Sequence, residues 1–131
     1  MLMNKIDNFN EKGEALFRPI LEKYGYNLNE KKINELDGKQ WSSKHIYVNN
    51  KAGLKIVIQQ EPYYTDYGFS FFIYKLGTDE YNILCNVPHE KQDREDNFLD
   101  KVCDDIFSNS ELIDIISGKV WKKLNRIPLK T

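Results

Sequence analysis

The sequence contains only two cysteines, four prolines and no long apolar run. Cys85 and Cys103 lie within patterns typical of regular structure and have no neighbouring pair of metal ligands. We therefore expect both to be reduced core thiols and not parts of a disulfide framework. No stretch approaches the roughly 20 apolar residues that span a bilayer, and the first residues lack the apolar stretch of a secretory signal. These absences predict a cytoplasmic protein that does not contact a membrane.

Recognisable catalytic motifs are also missing. The sequence contains no Walker loop, no Gly-x-Gly-x-x-Gly, no Gly-x-Ser-x-Gly and no Cys-x-x-Cys. We therefore expect no cofactor. Because no nucleophile stands beside an evident base, the sequence favours binding over catalysis.

The chain has the size of one self-sufficient domain. Its 131 residues and 15.5 kDa fit a single globular domain over residues 1–131. Hydrophobic residues make up 40% and charged residues 30%, which is too apolar for a disordered chain. A core of this size should fold without a metal or a disulfide.

The N-terminal part has helical periodicity. Apolar side chains recur at helical spacing over residues 5–24, with Asp7 as a predicted N-cap and Gly25 as a predicted stop. Pro19 predicts a kink or break near Phe17-Arg18, because proline cannot donate a helical hydrogen bond. The following polar stretch, as far as Trp41, fits either a short strand or a connecting loop.

From His45 to Val87 the apolar period changes to two. The predicted strands cover residues 45–48, 54–58, 69–74 and 81–85. Short connections join antiparallel strands, so these segments predict a meander. The strand at residues 69–74 is apolar on both faces, which indicates that both faces are covered or that one face is left for a partner.

The helical period returns after Pro88. An apolar stripe predicts a helix over residues 98–107, and Ser110 is the predicted N-cap of a second helix that stops at Gly118. A last turn is predicted around Trp121 and Leu124. The fold class is therefore α+β, an antiparallel meander of three to five strands with an N-terminal helix and two C-terminal helices.

Charge is distributed unevenly along the chain. The net charge is −1, but residues 79–114 carry −8 and residues 115–131 carry +5. Most acids of the long predicted helix lie off its apolar stripe, so they should form a negative outer surface. Such a surface repels nucleic acid and steers a basic partner, although it also fits a merely solvated helix face.

The segment His-Glu-Lys-Gln-Asp at residues 89–93 is the strongest candidate for a metal site. On a helix His89 and Asp93 share a face, with Glu90 beside them. This spacing partly matches His-Glu-x-x-His, in which two histidines bind zinc and the glutamate is the general base. Here aspartate replaces the second histidine, and the only other histidine is His45. The segment also fits a polar helix start or a loop.

Residues 67–74 partly match the aromatic strand of an RNA-recognition motif. The matching residues are Gly68, Phe69, Phe71 and Tyr74. Such a domain needs helices between its strands and a basic sheet, whereas this sequence predicts consecutive strands. The basic residues around Trp121 could hold phosphates, but no known nucleic-acid-binding motif accompanies them. We therefore expect core aromatics and no nucleic-acid partner.

The connection at residues 62–67 contains three tyrosines. Tyrosine rings are stiff, amphipathic and common at binding hot spots, although here they could instead cap an open end of the core. With the acids that follow Pro88, they make up the predicted partner-binding surface. Its members are Tyr63, Tyr64, Asp66, Tyr67, Asp93, Asp96 and Asp100.

The order of a leading helix, an antiparallel meander and trailing acidic helices resembles the layout of small bacterial immunity proteins. The resemblance lies in the layout and assigns no residue. It implies a cytoplasmic, non-catalytic module that binds a protein and neutralises a basic enzyme or toxin. The alternatives are a small metal-dependent hydrolase using His89, Glu90 and Asp93, and a domain that binds a small ligand against the aromatic sheet. Whether two copies pair is left open.

Overall fold

The computed structural model describes residues 5–37, 39–61, 67–94 and 98–130. The elements are α1 (Lys5–Asn8), a π-helical segment (Phe9–Gly13), α2 (Glu14–Lys23), β1 (Asn27–Leu36), β2 (Lys39–Asn49), β3 (Leu54–Gln60), β4 (Tyr67–Lys75), β5 (Tyr81–Pro88), α3 (His89–Arg94), α4 (Phe98–Phe107), α5 (Ser110–Ile116) and β6 (Leu129–Lys130).

The strands form one sheet in the order β1-β2-β3-β4-β5-β6. Strands β1 to β5 pair antiparallel with their neighbours in sequence, which confirms the predicted meander and the α+β class. The sixth strand was not predicted. It pairs parallel with β5 through Cys85 and Leu129, and through Asn86 and Lys130.

The N-terminal helical region differs from the prediction in two details. Asp7 is not an N-cap, because it lies inside α1. Helix α2 also continues through Pro19, which is exposed. The irregular backbone lies earlier, in the π-helical segment Phe9–Gly13. The predicted stop is confirmed, because Gly25 has a φ of 93°, a conformation that glycine adopts without a steric penalty.

The C-terminal region needs two corrections as well. The N-cap of α5 is Asn109 and not Ser110, because the Asn109 side chain accepts hydrogen bonds from the backbone N–H groups of Glu111 and Leu112. No helical turn forms around Trp121, because residues 119–128 run as irregular chain along the sheet edge. Gly118 follows α5 with a φ of 81°, as the predicted stop requires.

The core lies between the helices and one face of the sheet. Its largest fully buried side chains are Tyr26, Tyr47, Phe9, Phe17, Phe69 and Phe71. In β2 the buried residues are Ser42, Ser43, His45, Tyr47 and Asn49, whereas the apolar Ile46 and Val48 are only half-buried. Ile46 and Val48 therefore point away from the core, whereas His45, Tyr47 and Asn49 point into it.

Tyr26, which follows α2, is hydrogen-bonded to the last residue of α5. Its buried hydroxyl donates to the carbonyl oxygen of Ile116 at 2.6 Å. We expect Tyr26→Phe to lower the free energy of unfolding by about 1–2 kcal/mol, because it leaves a buried carbonyl without its donor. Urea unfolding measures this loss. Tyr24→Phe is the matched control, because the Tyr24 hydroxyl makes no hydrogen bond with a described residue, and an equal loss in both variants would contradict the assignment.

Candidate binding surfaces

The structure covers the predicted partner-binding residues only in part. Tyr63, Tyr64, Asp66 and Asp96 lie outside the described residues. The backbones of Tyr67 and Asp93 are described, in β4 and α3, but their side chains are not. Asp100 lies in the first turn of α4, where its carboxylate pairs with Lys12 at 2.6 Å. The structure therefore neither assembles nor separates this predicted set.

The outer side of α4 carries two further acids of the predicted negative surface, which were not among the predicted partner-binding residues. Asp104 and Asp105 are exposed, and neither forms an ion pair with a described residue. In α5, Glu111 is exposed and pairs with Lys122 at 2.9 Å. Asp114 lines a surface depression together with Glu111 and Lys122. One basic side chain of the C-terminal region thus offsets part of this acidic side.

The opposite face of the sheet carries an aromatic cluster formed by Phe72, Tyr74 and Tyr81. These residues lie outside the core cluster of the described part of the chain. The ring centroids of Tyr74 and Tyr81 are 5.5 Å apart, and Phe72 lies 6.1 Å from Tyr74 and 6.3 Å from Tyr81. Burial raises the pKa of Tyr74, and the neighbouring Tyr81 raises it further by a smaller amount. This arrangement confirms that β4 is apolar on both faces.

Two lysines lie over the aromatic cluster. The Lys55 ammonium is 4.9 Å from the Tyr74 ring centroid, and the Lys123 ammonium is 4.5 Å from that of Tyr81. Both distances fall within the range of cation–π attraction. The cluster is therefore bordered by positive charge, opposite in sign to the acids of α4.

The segment with the metal-site spacing forms helix α3, so His89 and Asp93 do stand one helical turn apart. His89 is largely buried, with 8% of its surface exposed. Among the described side chains, no three of the His, Cys, Asp and Glu type converge on a point that could hold a metal ion. The hydrolase hypothesis stays a prediction, because the side chain of Asp93 lies outside the described residues. Metal analysis of the purified protein tests it.

A buried amide pair lies beside His89. Gln60 and Gln92 exchange two hydrogen bonds, at 3.1 and 2.8 Å, and are 1% and 7% exposed. The backbone of Gly68 lies so close that an added Cβ would stand 2.8 Å from His89 Nδ1. The glycine that resembled part of an RNA-binding strand is thus required by packing.

His45 belongs to a second closed polar cluster. Its Nε2 lies 3.1 Å from Asn10 Oδ1, which also accepts a hydrogen bond from Ser43 Oγ at 2.5 Å. Burial lowers the pKa of His45 from 6.5 to about 4, with a smaller contribution from Lys31. The imidazole is 1% exposed and packs against Phe9 at a centroid distance of 4.5 Å. It is neutral at pH 7 and is sealed within the core.

Both cysteines are free and buried, as the sequence predicts. Burial raises the pKa of Cys85 to about 12 and that of Cys103 to about 11. The thiolate is the nucleophilic form of cysteine, so neither side chain is activated for attack at neutral pH.

Sequence reasoning missed Asn82, a buried polar residue of β5. Its side chain donates to the carbonyl oxygen of Lys122 at 2.8 Å and accepts from the N–H of Leu124 at 2.9 Å. The only available signal was a polar residue directly before the apolar run of β5. Nothing in that pattern indicates a partner 40 residues later in the chain.

Comparison with known proteins found no match to a protein-family model, a curated protein or a solved structure. Within the described part of the chain, every helix is too short or too polar to cross a membrane.

Proposed function

We propose that the protein is a non-catalytic module that binds a basic protein partner through the acidic side of α4 and α5. The observation that carries the proposal is the pair Asp104 and Asp105, which are exposed and make no ion pair with a described residue. Adjacent exposed carboxylates attract a cationic surface and accelerate association with it.

The same charges favour a protein over a nucleic acid. Nucleic-acid binding depends on neutralising phosphates with lysine and arginine. The acidic side of α4 and α5 would repel phosphates, because residues 79–114 carry a net charge of −8. A protein with a lysine- or arginine-rich surface is the complementary class.

The state of the potential nucleophiles and bases supports a non-catalytic role. The raised pKa values of Cys85 and Cys103 keep both thiols protonated at pH 7. His45 is sealed in the core, where a substrate cannot reach it. On this proposal the protein acts in the bacterial cytoplasm as an immunity-like neutraliser, which blocks a basic enzyme or toxin by covering its surface.

Reversing the charge of Asp104 and Asp105 tests the proposal. Proteins captured by the wild-type chain are identified, purified and titrated individually. We expect a basic partner whose affinity falls as salt rises, and about tenfold weaker binding to Asp104→Lys/Asp105→Lys. Isothermal titration calorimetry at two salt concentrations measures both effects.

The matched control is Glu30→Lys/Glu35→Lys, which makes the same change of charge on the exposed strand β1. This control should keep the affinity for the partner within about twofold of wild type, because β1 is the edge strand of the sheet opposite β6. A partner whose affinity responds neither to salt nor to the α4 reversal would contradict the proposal.

A second candidate contact is the aromatic cluster on the sheet face opposite the core. Because Lys55 and Lys123 border Phe72, Tyr74 and Tyr81, this surface suits a protein that presents carboxylates around an apolar side chain. Tyr74→Ala should then weaken capture of an acidic protein and leave capture of a basic one unchanged. Self-association lost in Tyr74→Ala would instead assign the face to a second copy of the chain.

A further inference from the structure

The C-terminal segment (residues 119–130) runs along the outer edge of β5. Trp121, Leu124 and Leu129 pack partly buried against the core. The segment ends as β6, which pairs parallel with β5 over only two residues. An edge strand exposes unpaired N–H and C=O groups that invite another strand, and here the chain covers this edge itself.

Asn82 holds the segment by its backbone. It is 1% exposed, and its amide bonds the carbonyl oxygen of Lys122 and the N–H of Leu124. Both bonds go to main-chain atoms, so Asn82 recognises the backbone whatever side chains the bound chain carries. A different extended segment can satisfy the same donor and acceptor.

The charges of the segment complement the surface beneath it. Residues 115–131 contain five basic and no acidic side chains. Lys122 pairs with Glu111 at 2.9 Å, and the Trp121 indole N–H lies 3.4 Å from a Glu80 carboxylate oxygen. Lys123 lies over the Tyr81 ring and donates to the Tyr81 carbonyl. Acidic groups and an aromatic ring therefore receive cations and an indole from the same short segment.

Leu129 is the apolar anchor at the end of the segment. It lines a cavity of about 60 Å³ together with Cys85, Val87, Phe98 and Val102. The charged side chains at the same cavity are Asp105, Lys91 and Lys101. The unfilled volume means that Leu129 does not use all the apolar space offered, so a larger side chain would make more contacts there.

We infer that the β5 edge under the C-terminal segment is the docking groove for a basic, extended segment of the protein partner, and that residues 119–130 occupy this groove as an intramolecular stand-in. The inference rests on the proposed function and specifies its contact. The partner segment would add a strand to β5, bond Asn82 through its backbone, place a cation near Glu111 and bury an apolar side chain at the Leu129 position.

The segment is held weakly enough to be displaced. Several of its side chains are exposed, its ion pair with Glu111 lies at the surface, and its ladder with β5 is two residues long. A groove that is occupied internally binds an outside segment with an affinity reduced by the fraction of time it is open. Weakening the internal segment should therefore strengthen binding from outside.

The test uses the full chain and a fluorescent peptide with the sequence of residues 119–130. Lys122→Ala/Leu129→Ser removes the ion pair and the apolar anchor of the internal segment. By fluorescence anisotropy we expect this variant to bind the peptide at least about tenfold more tightly than wild type does. Lys51→Ala/Leu76→Ser, the same changes at exposed turn positions, is the matched control and should bind like wild type.

A second substitution locates the bound peptide. Adding Glu111→Lys to the Lys122→Ala/Leu129→Ser variant should reduce its affinity for the peptide at least about fivefold. Adding Glu35→Lys to the same variant should not reduce it. Equal binding to wild type and to the weakened chain, or equal effects of Glu111→Lys and Glu35→Lys, would overturn the inference. Hydrogen exchange of wild type gives a readout without substitutions, because excess peptide should accelerate exchange in residues 119–130, and unchanged exchange would count against displacement.

The outcomes separate this inference from the proposed function. Peptide binding that depends on Glu111, without any basic partner that depends on Asp104 and Asp105, would keep the groove and reject the proposed function. A basic partner whose affinity is the same for wild type and for Lys122→Ala/Leu129→Ser would keep the function and reject the groove.

Discussion

Replacing Gly68 by alanine is expected to lower the free energy of unfolding by about 3–4 kcal/mol. A Cβ at this position would stand 1.8 Å from Gln92 Oε1, 2.8 Å from His89 Nδ1 and 2.9 Å from Gln60 Nε2. The first distance is far inside contact distance, so the Gln92 side chain has to move.

Moving Gln92 is costly because its amide is buried and paired. Gln60 and Gln92 satisfy one another through two hydrogen bonds. Displacing one amide leaves the other without its partner in the core, where each unsatisfied polar group costs about 1–3 kcal/mol. Overpacking adds a similar amount, because α3 is packed on β4 and β5 at this point.

Urea unfolding of single and double variants measures this effect. Gly68→Ala should be much less harmful in a Gln92→Ala background, since the nearest atom is then absent. Gly77→Ala is the control for losing a glycine, because Gly77 has a φ of 77° but open space around its Cα. It should cost about 1 kcal/mol through backbone strain alone. Additive losses for Gly68→Ala and Gln92→Ala would show that the clash is not the cause.

The wild-type protein is expected to lose up to about 3 kcal/mol of stability between pH 6.5 and pH 4 through His45 alone. Burial, aided by Lys31, lowers the pKa of this imidazole from 6.5 to about 4. In that pH range the unfolded chain binds a proton at His45 and the folded chain does not. The His45 contribution to stability is therefore complete above pH 6.5 and is lost as the pH falls towards 4.

Comparison with His45→Gln isolates this contribution. Glutamine does not titrate, so the stability of wild type relative to the variant should fall steadily from pH 7 to pH 4, as measured by urea unfolding. Carboxylates affect both proteins equally and cancel in the difference. Two parallel stability curves would contradict the prediction.

Nuclear magnetic resonance provides the independent check. His89→Gln leaves a single imidazole signal, which belongs to His45. That signal should titrate with a midpoint near pH 4 in the folded protein. A midpoint near 6.5 would mean that the ring reaches solvent.

The predicted elements that proved correct have strong local signals. The stripe that includes Val102 and Ile106 predicted α4, and the alternation in β3 together with the short connection before it predicted the β2–β3 hairpin. These patterns repeat within a few residues, so they survive whatever the rest of the chain does. Gly25 and Gly118 were correct stops for the same reason, since each has a positive φ directly after a helix.

The errors arose where a local signal competed with a distant contact. For residues 27–36, which are polar and gave little periodicity, the sequence left a strand or a loop open, and they form β1 because β2 supplies a hydrogen-bonding edge. Trp121 and Leu124 suggested a helical turn, but this part of the chain is irregular, and Asn82 bonds its backbone. Asn82 lies on β5, about 40 residues earlier in the chain, so no pattern around Trp121 can show it.

The candidate site was anticipated in its charge and not in its shape. The segment sums of −8 and +5 were readable from composition. Composition did not show that Lys122 pairs with Glu111 or that Lys123 lies over Tyr81. It also did not show that both lysines belong to one segment on the β5 edge.

Composition and periodicity alone determined an α+β domain with a meander, buried thiols and opposite charges in its last two segments. Both kinds of signal depend on residues near one another in the chain, so they can be read before folding. Only the tertiary structure decided which sheet face carries the aromatic cluster, which glycine lies against a buried amide pair, and what covers the last strand of the meander. Those features depend on side chains that are distant in sequence and become neighbours only when the sheet and the helices pack.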